Sequence, residues 1–143
     1  MATVRASLSL SSSDVLSSAL ALSVVSNITC DSGSLIKAKV KGTAADTNDM
    51  IVYLAAEKND RAYLYIKNLE PELENYIYVR IETLTSGTTS TFAKVGGGEF
   101  AFIPLDPAAT VAVFATKVDS IIEYGVFGND NSGVSLGGSG TGA

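Results

Sequence analysis

The chain has 143 residues, 46% of them hydrophobic and 17% charged, which fits one compact domain with a core and excludes a disordered tail. Its net charge of -5, from 10 basic and 15 acidic residues, leaves no basic surplus for phosphate backbones, so nucleic acid is not an expected partner. With no histidine and one cysteine, the sequence excludes a Ser-His-Asp or Cys-His site, a His-bearing zinc site and an internal disulfide.

A membrane span is not predicted. The longest apolar-leaning stretch, Ala19 to Val25, contains Ser23 and is far shorter than the roughly 20 residues that a span needs. The N-terminus has one early charge, Arg5, and then serine-rich alternating sequence, without the continuous apolar block of a secretory signal. We therefore expect no membrane partner and expect Met1 to begin the working protein.

Apolar and polar residues alternate from Ser7 to Leu10 and from Ala19 to Val24, the period of two that is typical of half-buried strands. The competing interpretation is a helix that begins at Asp14, because Asp14 is a suitable N-cap and the apolar residues from Val15 to Leu20 fall at helical spacing. The many serines and the alternation beyond Leu20 favour strands, with at most a short helical turn near Asp14.

The next segment predicts a β-hairpin. Val25–Cys30 leads into Asp31–Gly33, whose residue types suit a turn, and Leu35–Lys41 alternates apolar residues with lysines. Gly42–Asp49 is small and polar and predicts a loop, whereas Met50–Ala55 is an apolar run that predicts a buried strand.

The clearest alternation lies in the middle of the chain, where Tyr63–Lys67 and Tyr76–Ile81 predict two strands in the same phase, separated by a turn containing Glu70–Glu72. The side chains predicted to enter the core are Leu64, Ile66, Ile77, Val79 and Ile81. Those predicted on the opposite face are Tyr63, Tyr65, Lys67, Tyr76, Tyr78 and Arg80. Most of the tyrosine is therefore expected to point one way.

The second half of the chain predicts more strands and no helix. Thr83–Thr91 is rich in Thr, Ser and Gly, which indicates a loop or an exposed edge. Strand-like runs follow at Phe92–Val95, Glu99–Leu105, Thr110–Lys117 and Ile121–Phe127. The predicted fold class is therefore all-β, an antiparallel β-sandwich or jelly roll. We expect one sandwich domain over 1–127, with an extended N-terminal arm over 1–13, and a Gly/Ser/Asn-rich tail over 128–143.

Two motifs suggest a ligand-binding site, and each has a simpler interpretation. Gly96–Gly98 could begin a phosphate loop, but no Lys-Ser/Thr follows and a hairpin turn explains it. Asp130 could begin a calcium loop, alone or with Asp46 and Asp49, but the distal glutamate of an EF-hand is missing.

Two carboxylates among Glu70, Glu72 and Glu74 could in principle supply acid-base chemistry on a glycan. These residues crowd one turn, however, and are more simply a solvated run of charges. Cys30 fits a small core residue. We therefore predict no enzyme activity, catalytic residue, metal or cofactor.

The tyrosine row leaves two interpretations open. If both faces of the sheet are covered within the sandwich, the rings belong to the core. If they face solvent, Tyr63, Tyr65, Tyr76 and Tyr78 with Lys67 and Arg80 form a contact surface, because Tyr and Arg offer large amphipathic area at low entropic cost. Carbohydrate stacking is a third interpretation.

The middle and end of the chain are similar to small β-sandwich virion proteins of tailed bacteriophages, particularly marine and cyanobacterial phages. The segments that carry this resemblance are Tyr65–Leu69, Tyr76–Val79, Ala93–Val95, Gly98–Leu105, Val113–Lys117 and Ile122–Phe127, with Thr3–Ser12 and Leu35–Gly42 adding to it.

The resemblance implies a noncatalytic virion component on the exterior of the phage particle and transfers no catalytic residue. For a capsid decoration, or cement, protein it implies a homo-oligomer, often a trimer, that binds the major capsid protein and bridges capsomers. The alternatives are a neck, tail or fibre-like structural protein and a receptor- or glycan-binding module.

Overall fold

The computed structural model describes residues 2–42, 50–83, 88–116 and 119–130. These residues form ten strands and no helix, so none of them makes a helix that could cross a membrane. The chain divides into two compact units, 1–31 and 32–143. The strands are β1 (Ala2–Ser12), β2 (Leu20–Cys30), β3 (Ser32–Val40), β4 (Met50–Tyr53), β5 (Lys58–Asn68), β6 (Ile77–Thr83), β7 (Thr88–Val95), β8 (Phe100–Leu105), β9 (Thr110–Ala115) and β10 (Ser120–Asp130).

The first unit is a long antiparallel hairpin of β1 and β2. The strands pair over their whole length, from Ala2 opposite Cys30 to Ser12 opposite Leu20. The two predicted strands are confirmed. The alternative of a helix capped by Asp14 is wrong, because the Ser12 hydroxyl accepts hydrogen bonds from the backbone N–H groups of Asp14 and Val15, at 3.3 and 3.2 Å, and closes a short turn instead.

The second unit is a jelly roll. Its eight strands form two four-stranded sheets with the orders β3-β10-β5-β8 and β4-β9-β6-β7. All pairings between these strands are antiparallel, and most neighbours are distant in sequence. This is the interleaved pattern of two Greek keys that defines a jelly roll. The predicted all-β fold class is confirmed.

The core of the jelly roll fills the space between its two sheets. Alternate residues of each strand point inward, so Leu64 and Ile66 of one sheet join Ile77 and Val79 of the other in one cluster, all with no exposed surface. Fully burying a side chain of this size contributes roughly 1.5–3 kcal/mol. The period of two in the sequence thus determines which face of each strand is buried.

The predicted hairpin between Val25–Cys30 and Leu35–Lys41 is wrong. β2 pairs with β1, whereas β3 lies in another sheet and pairs with β10 from Val40 opposite Ser120 onward. Turn-forming residues show that the chain changes direction, but they do not select the strand that it pairs with. Residues 2–30 form their own sheet, and the sandwich strands begin at Ser32. The predicted tail beyond Asp130 lies outside the described residues.

Asn68 fixes the crossover between the two sheets. Its side chain has no exposed surface, and its Nδ2 donates to the carbonyl oxygens of Asn75 and Val95, at 2.7 and 3.0 Å. Its Oδ1 accepts from the N–H of Glu70 at 3.0 Å, and its own carbonyl accepts from the N–H of Gly98 at 2.9 Å. The side-chain amide of Asn68 therefore ties the loop after β5 to the end of β7, and its main-chain carbonyl holds the following glycine turn.

Candidate protein interface

The predicted tyrosine face is divided between two surfaces. β5 and β6 lie in different sheets, so the outward residues Tyr63, Tyr65 and Lys67 of β5 stand on one side of the sandwich, and Tyr78 and Arg80 of β6 stand on the other. Tyr76 precedes β6. The prediction that these rings point one way is wrong, because strands adjacent in sequence and equal in phase can belong to opposite layers.

The interpretation of the tyrosines as core residues is wrong as well. Tyr63, Tyr65, Tyr76 and Tyr78 are all half-buried, and none belongs to the cluster between the sheets. Rings at this depth keep one surface toward solvent, so the interpretation of a contact surface stays open for each side separately.

The outer surface of the β3-β10-β5-β8 sheet, which we call the aromatic face, brings together rings from three strands. Phe127 of β10 lies opposite Tyr63 of β5, and Phe102 of β8 lies opposite Tyr65. The rings of Tyr63 and Phe102 stack, with centroids 5.9 Å apart and planes 7° from parallel. Its outward apolar and aromatic side chains are Leu35, Tyr63, Tyr65, Phe100, Phe102 and Phe127.

The aromatic face is open to solvent at both sides. Leu35 on the edge strand β3 is 57% exposed and Phe100 on the edge strand β8 is 59% exposed, while the rings between them are half-buried. Burial of such area is favourable, and aromatic residues are enriched in the centres of protein interfaces. The face is therefore suited to a partner of complementary shape.

A charged row borders the aromatic face. The register places Lys37, Glu123 and Lys67 side by side across β3, β10 and β5. The hydroxyl of Tyr65 donates to Oε1 of Glu123 at 3.2 Å. Partial burial raises the pKa of Tyr65, and the hydrogen bond to Glu123 and its charge act in the same direction. This row supplies the polar rim that surrounds the apolar centre of most interfaces.

On the outer surface of the β4-β9-β6-β7 sheet, aromatic rings contact one another and neighbouring basic side chains. The rings of Tyr78 and Phe114 meet edge to face, with centroids 5.1 Å apart, and the Arg80 guanidinium lies 4.1 Å from the Phe114 centroid. The ammonium of Lys94 lies 3.9 Å from the Tyr76 centroid. Phe114 is only 7% exposed, so little of its ring is offered to a partner, whereas Phe92 on the edge strand β7 of this sheet is 44% exposed.

Four of the six residues of the aromatic face, Leu35 and the three phenylalanines, were not predicted from the sequence. Phe100, Phe102 and Phe127 lie in predicted strands, but their side of the sheet depends on strand order, which the sequence did not give. The alternation of Phe100, Phe102 and Pro104 with Ala101 and Ile103 was the available signal, since it separates an aromatic side from an aliphatic one.

The glycine turn at Gly96–Gly98 does not form a phosphate cradle. The N–H of Gly96 donates to Oε1 of Glu99 at 2.7 Å, that of Gly97 to the Leu73 carbonyl at 3.3 Å, and that of Gly98 to the Asn68 carbonyl. A phosphate site needs these donors to be free. The predicted hairpin turn is corrected too, because β7 and β8, which flank it, belong to different sheets.

The acidic candidates do not come together as a site. Oε2 of Glu70 accepts from the backbone N–H of Ile121 at 2.9 Å, and Glu72 and Glu74 are exposed. Among the residues described, no group of three Cys, Asp or Glu side chains is arranged to hold a metal ion. Asp46, Asp49 and the side chain of Asp130 lie outside the described part. Cys30 is buried, 2% exposed, and forms no disulfide.

Comparison with known proteins gives a likeness of fold. No family model and no curated protein matches the sequence. Among solved structures, the chain resembles a protein of Bacillus endospore appendages, described as disulfide-linked pili, with 18% identity and a TM-score of 0.50 over 67% of this chain and 81% of that one. A hydroxypropylphosphonic acid epoxidase from S. wedmorenis has 13% identity and a TM-score of 0.43 over 65% of this chain and 42% of that one. At 18% identity, the match to the appendage protein supports a shared fold alone.

Proposed function

We propose that this protein is a noncatalytic structural subunit of a virion, a capsid decoration protein that binds the major capsid protein through its aromatic face. The observation that carries the proposal is the cluster of partly exposed rings on the β3-β10-β5-β8 sheet, flanked by Leu35 and Phe100 at 57% and 59% exposure. The phage assignment comes from the resemblance of the sequence, and the aromatic face supplies the physical means of attachment.

The aromatic face favours protein binding over catalysis. Its charged groups, Lys37, Lys67 and Glu123, stand in one row at its border, and none of them is buried. Acid-base chemistry needs a titratable group held within hydrogen-bond reach of an enclosed substrate, whereas aromatic rings supply contact area at low entropic cost. The aromatic residues of this surface therefore support a binding role.

Attachment of many subunits would stabilise the capsid by mass action. A ligand that binds only the assembled lattice stabilises it by about 2.7 kcal/mol per site at a free concentration of about 100 times Kd. Subunits that bridge neighbouring capsomers would resist the pressure of packaged DNA in this way. The trimeric state that the resemblance implies is part of the proposal.

The similarity of fold to the pilus protein is consistent with an assembling structural subunit, although subunits of this protein would be linked in another way. That protein is described as disulfide-linked. In this chain the single cysteine, Cys30, is 2% exposed, so bonds between copies would depend on apolar and polar contacts.

The aromatic face favours a second candidate, a glycan-binding module. The exposed ring surface of the stacked pair Tyr63 and Phe102 could pack against the apolar C–H face of a sugar. Saturable binding of an oligosaccharide would favour this candidate, because a decoration protein has no need of it.

The test is co-sedimentation of the purified protein with shells of the matching major capsid protein. We expect Phe100→Ala with Tyr65→Ala to weaken shell binding at least about tenfold, the effect of losing about 1.4 kcal/mol. The matched control is Phe92→Ala, which removes an equivalent ring, 44% exposed, from the edge strand β7 of the other sheet and should leave binding unchanged. Equal binding by the double variant and the wild type would contradict the proposal.

A further inference from the structure

The N-terminal hairpin separates its side chains by polarity. Directly opposed residues of an antiparallel pair point to the same side, so the register of β1 and β2 assigns each residue to a face. One face carries Ala2, Val4, Ala6, Leu8, Leu10, Ser12, Leu20, Leu22, Val24, Ser26, Ile28 and Cys30. The other carries Thr3, Arg5, Ser7, Ser9, Ser11, Ala21, Ser23, Val25, Asn27 and Thr29. The first face is apolar and has no charge.

Four residues of the apolar face form a continuous exposed cluster, which we call the hairpin patch. Leu8 lies opposite Val24, and Leu10 lies opposite Leu22 in the next row of the same face. They are 39%, 48%, 44% and 41% exposed, in that order. The turn beyond them adds Val15 and Leu16, which are 65% and 54% exposed.

A two-stranded hairpin of this kind needs a covering surface. Two strands alone are marginally stable in water, because each residue loses conformational entropy and only one face can bury apolar area. Exposed apolar clusters on soluble proteins mark sites of association. The hairpin patch is therefore expected to be buried in the assembled protein.

The aromatic face and the C-terminal segment of a second copy fit the patch poorly. The sheet that bears the aromatic face carries Lys37, Lys39 and Lys67 around the carboxylate of Glu123, and an uncharged hairpin laid over it would remove water from the excess ammonium groups without supplying counter-charges. The segment 131–143 has only two large apolar residues, Val134 and Leu136. The hairpin patch of another copy, by contrast, is uncharged, apolar and of equal length.

We propose that the hairpin patch is covered by the hairpin patch of a second copy, with the two hairpins packed face to face about a two-fold axis. The inference rests on the proposed function, because it names the contact by which subunits associate. Eleven residues span about 35 Å, and two strands are about 10 Å wide, so the footprint is about 350 Å² per copy. At about 700 Å² for the two copies together, this is below the standard interface size, and we expect a weak, reversible dimer. Such a contact closes at two copies, so the trimer would need a further interface.

The first test is sedimentation velocity of the full chain across the micromolar range. Leu10→Lys places a charge in the patch and should weaken self-association at least about tenfold. Ser9→Lys is the matched control, since it adds the same side chain to the neighbouring residue on the opposite face. Far-UV circular dichroism would show whether the strands of each variant remain.

The second test uses disulfide crosslinking, which needs no disruptive charge. In a Cys30→Ala background, single cysteines replace Leu8, Leu10, Leu22, Val24 or, as the control, Ser9. A two-fold axis brings a residue near its own copy only where the residue lies close to the axis, so at least one of the four patch cysteines, alone or mixed with another of the four, should oxidise to a covalent dimer, whereas Ser9→Cys should stay monomeric. If the patch instead contacted the sandwich of another copy, no second thiol would lie near it.

The outcomes separate this inference from the proposed function. Two outcomes would overturn the inference and leave the proposed function standing. The first is self-association that is insensitive to Leu10→Lys, without covalent dimers. The second is a wild type that is monomeric and still binds shells. A monomer that ignores shells would overturn both. Flotation of the wild type, but not of Leu10→Lys, with phosphatidylcholine vesicles would overturn the inference in favour of a lipid surface.

Discussion

The ring of Phe127 occupies the space that a side chain at Gly33 would need, on the neighbouring strand. A Cβ atom at Gly33 would lie 2.4 Å from Cδ1 of Phe127. The two residues are directly opposed in the β3-β10 register, so glycine here is a requirement of the aromatic face and not of a turn.

Gly33→Ala should therefore displace the Phe127 ring. Because a ring at the surface can rotate away, we expect a loss of about 1 kcal/mol in the free energy of unfolding, together with weaker shell binding. Ser34→Ala, on the exposed neighbour, is the control. Urea denaturation of both variants measures the difference, and an unchanged stability and shell affinity of Gly33→Ala would contradict the assignment.

Gly125→Ala should be more damaging than Gly33→Ala. Its Cβ atom would lie 2.4 Å from the backbone oxygen of Ser34, in the adjacent strand, and 3.1 Å from Cζ of Phe127. A backbone atom in a ladder cannot move without breaking strand pairing, so we expect a loss of about 2–3 kcal/mol. Urea denaturation would again measure it, and a smaller loss than that of Gly33→Ala would show that the strand spacing adjusts freely.

Asn68→Ala should lower the free energy of unfolding by about 3 kcal/mol. The substitution leaves the carbonyls of Asn75 and Val95 and the N–H of Glu70 without their side-chain partner, and each buried group costs about 1–3 kcal/mol. Asn75→Ala is the matched control, since Asn75 takes part through its backbone. Thermal and urea unfolding would test the ranking, which fails if the two variants lose equal stability.

Stability should fall at alkaline pH through Tyr53. This side chain has no exposed surface, and its hydroxyl donates to the Pro107 carbonyl at 2.9 Å and accepts from the N–H of Lys58 at 3.2 Å. Burial raises the pKa of Tyr53, the hydrogen bond from the Lys58 N–H opposes this by less, and the charges of Glu57 and Asp106 raise it further. With a folded pKa above the unfolded value of about 10, its contribution is complete below pH 10 and is lost as pH rises through the folded pKa.

Tyr53→Phe tests this pH dependence. The variant should lose about 1–2 kcal/mol at pH 7, because the Pro107 carbonyl and the Lys58 N–H lose a partner, and should show a shallower fall in stability above pH 10. Urea denaturation at neutral and alkaline pH measures both quantities. Tyr124→Phe, at another tyrosine whose pKa burial raises, serves as the comparison. Identical alkaline slopes for Tyr53→Phe and the wild type would show that Tyr53 does not cause the fall.

Ala56→Gly should leave the protein as stable or stabilise it by about 0.5 kcal/mol. Ala56 has a φ of 65°, in the left-handed region that costs a residue with a Cβ about 1–2 kcal/mol, while glycine costs about 0.5–1 kcal/mol in unfolded-state entropy. Ala55→Gly, with no such conformation to relieve, should be destabilising. Urea denaturation of the pair would contradict the prediction if Ala56→Gly were the less stable variant.

Local alternation in the sequence is enough to predict the class of the fold and the inner side of most strands. It predicts that Leu64, Ile66, Ile77 and Val79 enter the core, which the structure confirms. Ile81, predicted with them, is half-buried and lies outside the core cluster. This works because the period of a strand is a local property of the backbone, and burial of apolar side chains is its main energetic consequence. The absence of histidine was also readable directly, and with it the exclusion of whole classes of catalytic site.

Which strands are neighbours follows from the tertiary structure and not from local pattern. The tertiary structure assigned β5 and β6 to different sheets, which divided the predicted tyrosine face, and it placed Phe102 and Phe127 beside Tyr63 and Tyr65. It also paired β2 with β1 and not with β3, which turned an expected arm into a hairpin with an exposed apolar patch. Strand order depends on contacts between residues far apart in the chain, where many pairings satisfy the same local pattern and the packing of the whole core selects among them.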